Sequence, residues 1–476
     1  MTAWAEGGTP RDSRRDAGAT AKDSCRRYDM YPRLAETAFR LGAILYHRFM
    51  PSEPAPSLVL SFEDARRMVE DHAARIQPPD EESVGLLAAT GRVLAEPLVA
   101  DRDMPPFPRA TRDGFAVRTE DLTKLPARLR VTGEIKAGSV GFDVPASVER
   151  GQAVSIMTGA PVPRGAGAVV MIEHTVLHGE TVEITRGVAA GENIVPQGAE
   201  ARRGGLLAGP GTPLNPAAIA LAASVGKARL RVFTRPRVAV LATGDEIVDV
   251  AATPGATQIR NSNSFSLAAQ IQQAGGEPML LPIAPDEPRA LRRLIEEGLQ
   301  SDLLLLTGGV SMGRYDLVEQ VLAEMRAEFF FAGAKIQPGR PVVFGSAACA
   351  GAATGADASA GQDSDYFFGL PGNPVSTMVT FDLFVQPLLR ALAGASPRKL
   401  MFARARLKSE IRVKTGLRRF LPAVLAGEFE DSQVELVPWQ GSGDLAAVAR
   451  ANCYVVVPPD CERIAAGEWT ALMMRE

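Results

Sequence analysis

Apolar runs and polar stretches alternate in a regular way between about residues 236 and 394. RVAVLA leads into TGDE, then a helical pattern over 264–274 that Gly275 stops. PMLLPIA leads to Asp286 and a helical pattern over 290–299; DLLLL leads into TGGVSMGRYD and a helix from Leu317; YFFGL leads into PGNP and a helix from Val375. Continuously apolar strands alternating with amphipathic helices predict a parallel, doubly wound sheet.

Upstream the period changes. SFEDARRMVEDHAARI has Ser61 as a cap and Phe62, Ala65, Met68 and Val69 at helical spacing, so residues 58–99 read as helical. NPAAIALAASVG gives a second helical patch at 215–226. These pieces are expected to pack together as a helical linker domain, 58–99 plus 205–232. Between them, 100–204 is rich in Gly, Pro and short β-type runs such as LRVTGEI and AVSIMTG, an inserted all-β domain. Residues 233–395 form the α/β domain. Its Ala/Gly/Ser-rich segment 346–365 reads as a flexible insertion, and 396–476 as a C-terminal β-barrel domain. Residues 1–57 read as a disordered lead-in without a continuous apolar signal core. The fold class is multidomain α/β plus β.

Composition narrows the chemistry. A net charge of −3 over 476 residues gives no basic surplus for nucleic acid or an anionic membrane. No apolar run approaches the ~20 residues of a membrane span, and the expected location is cytoplasmic. The four cysteines form no C-x-x-C, and His174 and His178 fall in a hairpin pattern, IEHTVLHGETVEI. A metal here is therefore expected to be hard and held by carboxylates and water, Mg²⁺ before Zn²⁺.

Ligands of open α/β sheets bind beyond the carboxyl ends of the strands. Four loops leave those ends: Thr243, Gly244, Asp245 and Glu246; the turn at Asp286; Thr307, Gly308, Gly309, Ser311, Gly313 and Asp316; and Pro371, Gly372, Asn373 and Pro374. Glycine-rich turns feeding helices present bare N–H groups to an oxyanion, although tight-turn geometry alone also explains the glycines. The loop lacks the lysine of a P-loop. Asp245, Glu246, Asp286 and Asp316 beside such a cradle call for a cation between them and the anion, or are helix caps and solvated loop acids. Lys335 and Arg340 flank a Pro-Gly turn and either grip phosphate or lie on the surface. Asn261, Ser262, Asn263 and Ser264 form a helix-cap cluster that could also orient a ligand. In the insertion, MPPFPRATRDGFAV with Asp113 and SIMTGAPVPRGAGAVVMIE with Thr158 and Glu173 read physically as pinned turns.

Taken in order, PPF…DGFAV, IMTGAPVPRGAGAVVMIE, GENIVPQGAE, TGDEI, IRNSNS, TGGVSMGRYD, IQPGRPVVFG, LPGNPVS and QGSGDLAAVARAN resemble the molybdopterin molybdenumtransferase family (MoeA-type, including the gephyrin E domain), over about residues 61–467. The resemblance implies insertion of molybdenum from molybdate into adenylated molybdopterin, with Mg²⁺ assisting and AMP released. It implies that the glycine loops and Asn261, Ser262 and Asn263 hold substrate. Glu246, Asp286 and Asp316 then surround metal and substrate, Lys335 and Arg340 face oxyanion, and Asp113 and Thr158 act from the β-insertion of the other subunit of a homodimer. The upstream adenylyltransferase and recipient molybdoenzymes are implied partners. The chain departs from the family at Arg112, where methionine is common, at Phe115, where tyrosine is common, and in QPGRP, where Gln337 and Arg340 replace lysines of KPGKP. Two alternatives stand beside this reading: adenylyl transfer to molybdopterin, and a non-catalytic dimeric scaffold.

Overall fold

The computed structural model describes residues 59–139, 145–309, 317–347 and 365–475. The α/β domain holds a six-stranded sheet in the order Glu277–Leu280, Arg237–Ala242, Leu303–Thr307, Asp365–Leu370, Val343–Ala347, Glu328–Ala332. The first four strands are mutually parallel, in a register that aligns Ala242, Thr307 and Leu370. Side chains alternate across the sheet as the pleat demands. Val238, Val240, Leu303 and Leu305 face the helices Asn263–Gln273 and Pro374–Thr380. Ala239, Leu241, Leu304 and Leu306 face Pro288–Gly298 and Leu317–Glu324. Both faces are covered, which explains why the strands read as unbroken apolar runs.

The sheet is not wholly parallel. Val343–Ala347 runs antiparallel to both of its neighbours. Only ten residues separate it from the Glu328–Ala332 strand, and a parallel crossover needs a dozen or more, usually a helix.

The linker is also less helical than its pattern implies. The Phe62–Ala73 helix is capped by the Ser61 side chain, which accepts from Asp64 N at 3.0 Å. Pro78 and Pro79 follow it and cannot continue a helix. Beyond them Glu81–Gly85 is a strand paired antiparallel with Arg229–Phe233, and Leu98–Val99 pairs with Leu206–Ala208. The helix does not pack with Pro216–Ser224 in one core. Phe62, Ala65 and Val69 enter the α/β core beside Phe384 and Phe420, whereas Ala222 sits in a separate cluster with Leu94, Leu98 and Val232.

The insertion carries a six-stranded sheet with the His174 hairpin at its edge. The C-terminal domain is a closed five-stranded barrel, Arg418–Ala426, Gln433–Leu436, Phe402–Leu407, Trp469–Met474 and Cys453–Val457 returning to the first. Its Cys453 is buried and its thiol is pushed up to about 11 by that burial.

The helical run Pro374–Leu392 is long and apolar enough to cross a membrane by length and composition alone, contrary to the expectation that no run approaches that length. It is mostly buried within the domain core. Thr377, Thr380 and Asp382 interrupt the apolar pattern. The threonines bury their hydroxyls by donating back along the helix, Thr380 Oγ1 to Ser376 O at 2.8 Å and Thr377 Oγ1 to Asn373 O at 3.0 Å.

Candidate active site

The parallel strands deliver 243–246, the turn at Asp286, 307–309 and 371–374 to one rim. Backbone bonds sew these loops together. Thr243 N donates to Thr307 O at 3.0 Å, and Gly244 N to Ala284 O at 3.2 Å. Asp245 Oδ1 accepts from Asp286 N at 3.1 Å.

The glycines are required by close approach. Gly308 has φ +89° and a methyl there would sit 2.4 Å from the Thr243 carbonyl oxygen. At Gly309, φ +59°, it would meet Thr243 Oγ1 at 2.7 Å and Val318 Cγ2 at 2.9 Å. Gly372 brings its Cα face against Gly308, with a methyl 3.4 Å from Gly308 Cα. Two backbone loops without side chains thus meet over buried Thr243, Thr307 and Pro371.

Asn261 and Asn263 divide the work of the NSNS cluster. Asn261 caps the Asn263–Gln273 helix, its Oδ1 accepting from Ser264 N at 3.1 Å. Asn263 reaches across the rim, its Nδ2 donating to Thr307 Oγ1 at 2.9 Å and to Gly372 O at 2.7 Å. That clamps the two glycine loops together. It leaves Asn263 Oδ1 and Thr243 Oγ1 buried without a hydrogen-bond partner. Buried orphan polar atoms are uncommon in native proteins and often mark a place for a ligand or water. Ser262 is exposed at the helix start.

The rim acids Asp245, Glu246 and Asp286 are exposed. In APDE the neighbouring Glu287 is the structural acid. It caps Pro288–Gly298 by accepting from Arg289 N and Ala290 N, and those bonds lower its pKa. Asp286 itself is exposed, and its side chain makes no hydrogen bond or ion pair among the described residues. Among the described residues no group of three or more His, Cys, Asp or Glu is placed to hold a metal ion. Ser311, Gly313 and Asp316 lie outside the described residues.

The Pro338-Gly339 turn packs on the helix that follows the PGNP loop: a methyl at Gly339 would lie 2.4 Å from Thr380 Cγ2. Lys335 and Arg340 are exposed on either side, and their side chains make no hydrogen bond or ion pair among the described residues. Gln337, the departure from the family pattern, holds a cation from elsewhere. Its Oε1 accepts from Arg419 Nε at 2.8 Å. Arg419 is 8% exposed and comes from the barrel strand that pairs with Ile336–Gln337. Burial lowers the pKa of its guanidinium. A second barrel element also meets the rim: Val375 N donates to Ser442 O at 3.0 Å. Asp444 fixes that turn by accepting from Gln440 N and Ala447 N, which lowers its own pKa. Sequence reasoning singled out QGSGD without a role and missed Arg419, because neither contact is visible without the barrel's register.

Asp113 and Thr158 meet in the insertion, Thr158 N donating to Asp113 Oδ1 at 2.6 Å, a bond that lowers the Asp113 pKa. The glycine of DGF is needed there because a methyl at Gly114 would strike Val170 O at 1.9 Å. Asp113, Thr158 and Glu173 are exposed, and no hydrogen bond or ion pair ties their side chains to the rim among the described residues.

Fold and rim define a class: a multidomain protein whose α/β domain brings two glycine loops together at one end of its parallel strands, with exposed acids in the neighbouring turns. Three families match along the chain, the MoeA N-terminal region (domain I and II) at residues 60–226, the "Probable molybdopterin binding domain" at 239–391 and the MoeA C-terminal region (domain IV) at 404–473. A molybdopterin molybdenumtransferase of Nostoc sp. is 34% identical over 390 residues, 80% of this chain and 85% of that protein. One from Staphylococcus aureus is 31% identical over 399 residues, covering 83% and 91%. The molybdopterin biosynthesis moeA protein of Pyrococcus horikoshii OT3 superposes with a TM-score of 0.66 at 28% identity, covering 88% of this chain and all of that one. The chain belongs to the molybdopterin molybdenumtransferase family.

Proposed function

We propose that this enzyme transfers molybdenum from molybdate into adenylated molybdopterin and releases AMP, the final step of molybdenum cofactor assembly. The observation that carries the reading is the rim itself. Two glycine loops, clamped by Asn263 over orphan polar atoms, form a cradle in a chain that matches molybdenumtransferases along most of its length. Adenylyl transfer to molybdopterin and a purely scaffolding role are not favoured, because N-terminal and C-terminal regions of that family flank the α/β domain here.

In this reading Thr307, Gly308 and Gly309, with Pro371, Gly372, Asn373 and Pro374, present backbone to the phosphates of the adenylated pterin. Lys335 and Arg340 attract the molybdate oxyanion, and Arg419, held by Gln337, restores charge lost from the lysine-bearing family pattern.

The acids suit Mg²⁺. Asp286 and Glu246 have exposed oxygens with no hydrogen-bond donor among the described residues. Mg²⁺ takes hard oxygen donors and keeps several waters, so it needs only one or two carboxylates from the protein. Glu246 and Asp286, with Asp316, would hold it, and it would neutralise phosphate charge there. Asp245 fixes the Asp286 turn by accepting its N–H.

Asp113 and Thr158 act on the rim of a second copy, which makes the working unit a homodimer with two composite sites. Their exposure and the exposed apolar edge of Ile172, Val176 and Leu177 support this arrangement. The cytoplasm is the location proposed, with the upstream adenylyltransferase delivering substrate and apo-molybdoenzymes receiving product.

The test is a mixture of purified protein, adenylated molybdopterin, Mg²⁺ and molybdate. AMP release and activation of a cofactor-free molybdoenzyme should appear together. AMP release that ignores molybdate, with no activation, would sink the reading.

A further inference from the structure

We propose that Thr377, sealed in the core behind the PGNP loop, is a positioning residue for the transfer: its hydroxyl fixes the peptide plane that turns the Gly372 N–H towards the bound phosphates. The inference rests on the transferase reading and names the device that aims one of its two glycine loops.

Two prolines leave the turn 371–374 with only two backbone donors, the N–H groups of Gly372 and Asn373. Both residues are exposed, and neither N–H donates to any group among the described residues. The carbonyls are treated in the opposite way. Gly372 O accepts from Asn263 Nδ2 at 2.7 Å. Pro371 O accepts from Thr377 Oγ1 at 2.5 Å and from no other donor among the described residues. Asn373 O accepts from Thr377 N at 3.0 Å as the helix begins.

Each carbonyl shares a peptide plane with the next N–H. The units joining Pro371 to Gly372 and Gly372 to Asn373 are trans, and in a planar trans unit the C=O and N–H point opposite ways. Holding Pro371 O against Thr377 therefore sends the Gly372 N–H away from the helix. Holding Gly372 O on Asn263 orients the Asn373 N–H in the same manner. Two side chains lock two planes, and unused donors at a loop surface suit an oxyanion. A carbonyl turned out in their place would repel it.

A threonine inside a helix ordinarily bonds back to the carbonyl four residues earlier. Thr380 follows that pattern, with both of its contacts inside the helix. Thr377 also reaches Asn373 O, at 3.0 Å, but that oxygen already has a backbone donor. A hydroxyl has one proton to give, and the shorter contact goes six residues back, to a buried carbonyl that has nothing else. Thr377 is 0% exposed, so it acts on a ligand only through the loop.

The test compares the wild type with Thr377→Val, which keeps the shape and loses the hydroxyl, and Thr377→Ser, which keeps the hydroxyl. Equilibrium binding of adenylated molybdopterin is measured, together with KM and kcat for molybdate-dependent AMP release, well below each variant's melting temperature. Thr377→Val should weaken binding and raise KM for the pterin about three- to tenfold, the worth of one hydrogen bond, with kcat little changed. Thr377→Ser should recover both. A residue that only supports the fold would lower the melting temperature and leave binding and KM of the folded enzyme alone; that result overturns the proposal, as does a loss confined to kcat or a serine variant no better than valine. Wild-type protein that binds the pterin without releasing AMP overturns the transferase reading instead, and the binding comparison then decides the role of Thr377. A wild type that does not bind the pterin overturns both.

Discussion

The rim of the α/β domain and the Asp113–Thr158 corner of the β-insertion carry candidate chemistry in opposite ways. The rim works through absent side chains: close approach at Gly308, Gly309 and Gly372, with Thr243 Oγ1 and Asn263 Oδ1 buried and unpaired. The insertion corner works through side chains that are present and exposed, joined only to each other. A cradle made of backbone is part of the fold, and damage to it costs stability as well as activity. An exposed pair on a surface turn can be removed without the fold noticing, so its importance rests on what it meets.

The largest effect is expected at the rim. Gly308→Ala forces a side chain into a left-handed conformation and against the Thr243 carbonyl. A destabilisation of about 2–4 kcal/mol follows from the backbone penalty plus overpacking, with loss of AMP release. Chemical denaturation alongside the assay checks it, and unchanged stability would mean the two loops do not touch as described. Asp113→Ala should instead lose activity by about 100-fold, typical of removing a group that acts on developing charge, while its melting temperature stays at that of the parent.

A sharper separation comes from combining the two regions. Arg340→Ala damages the rim and Asp113→Ala the insertion. If each site takes its insertion from the partner, co-expressed variants form mixed dimers with one intact site. About a quarter of wild-type activity should then return, given random pairing. Activity no higher than that of the single variants would place both groups in one subunit.

The contrast also explains what was legible. Buried parallel strands show as apolar runs, and glycine loops at their ends show as glycines, so the sheet and most of its rim can be read from residues 236–394 alone. The antiparallel strand Val343–Ala347 was not legible, because strand direction depends on the length of the connection rather than on composition. Nor was the partner of the Phe62–Ala73 helix, since an apolar stripe does not say which core it enters. Arg419 escaped because its role depends on barrel register placing it beside Gln337. Asp113 and Thr158 stood out only through the family resemblance, since exposed residues leave no trace in a hydrophobic pattern.

A smaller effect tests the clamp between the glycine loops. Asn263→Ala removes two hydrogen bonds, to Thr307 Oγ1 and Gly372 O, and leaves both acceptors at the rim. A loss of about 1–3 kcal/mol is expected from that change. The Michaelis constant for the adenylated pterin should rise, because the cradle loosens while the acids and cations stay in place. A fall in turnover with no change in that constant would instead put Asn263 in the chemical step.

The smallest effect lies at the insertion and concerns pH. The Thr158 N–H, then its hydroxyl, favour the ionised form of Asp113 and hold its pKa below the usual carboxylate value. A carboxylate with a folded pKa below its unfolded value keeps its bond above the ordinary range and loses it as pH falls through the lowered value. The midpoint of the Thr158 amide titration should therefore lie below the ordinary Asp value of about 3.9. Thr158→Ala keeps the N–H and removes the hydroxyl, so the midpoint should rise part of the way towards the ordinary value. The group is fully exposed, so global stability should not follow this titration. If unfolding midpoints track it, the corner is tied into the fold as firmly as the rim, and the distinction between the two regions fails.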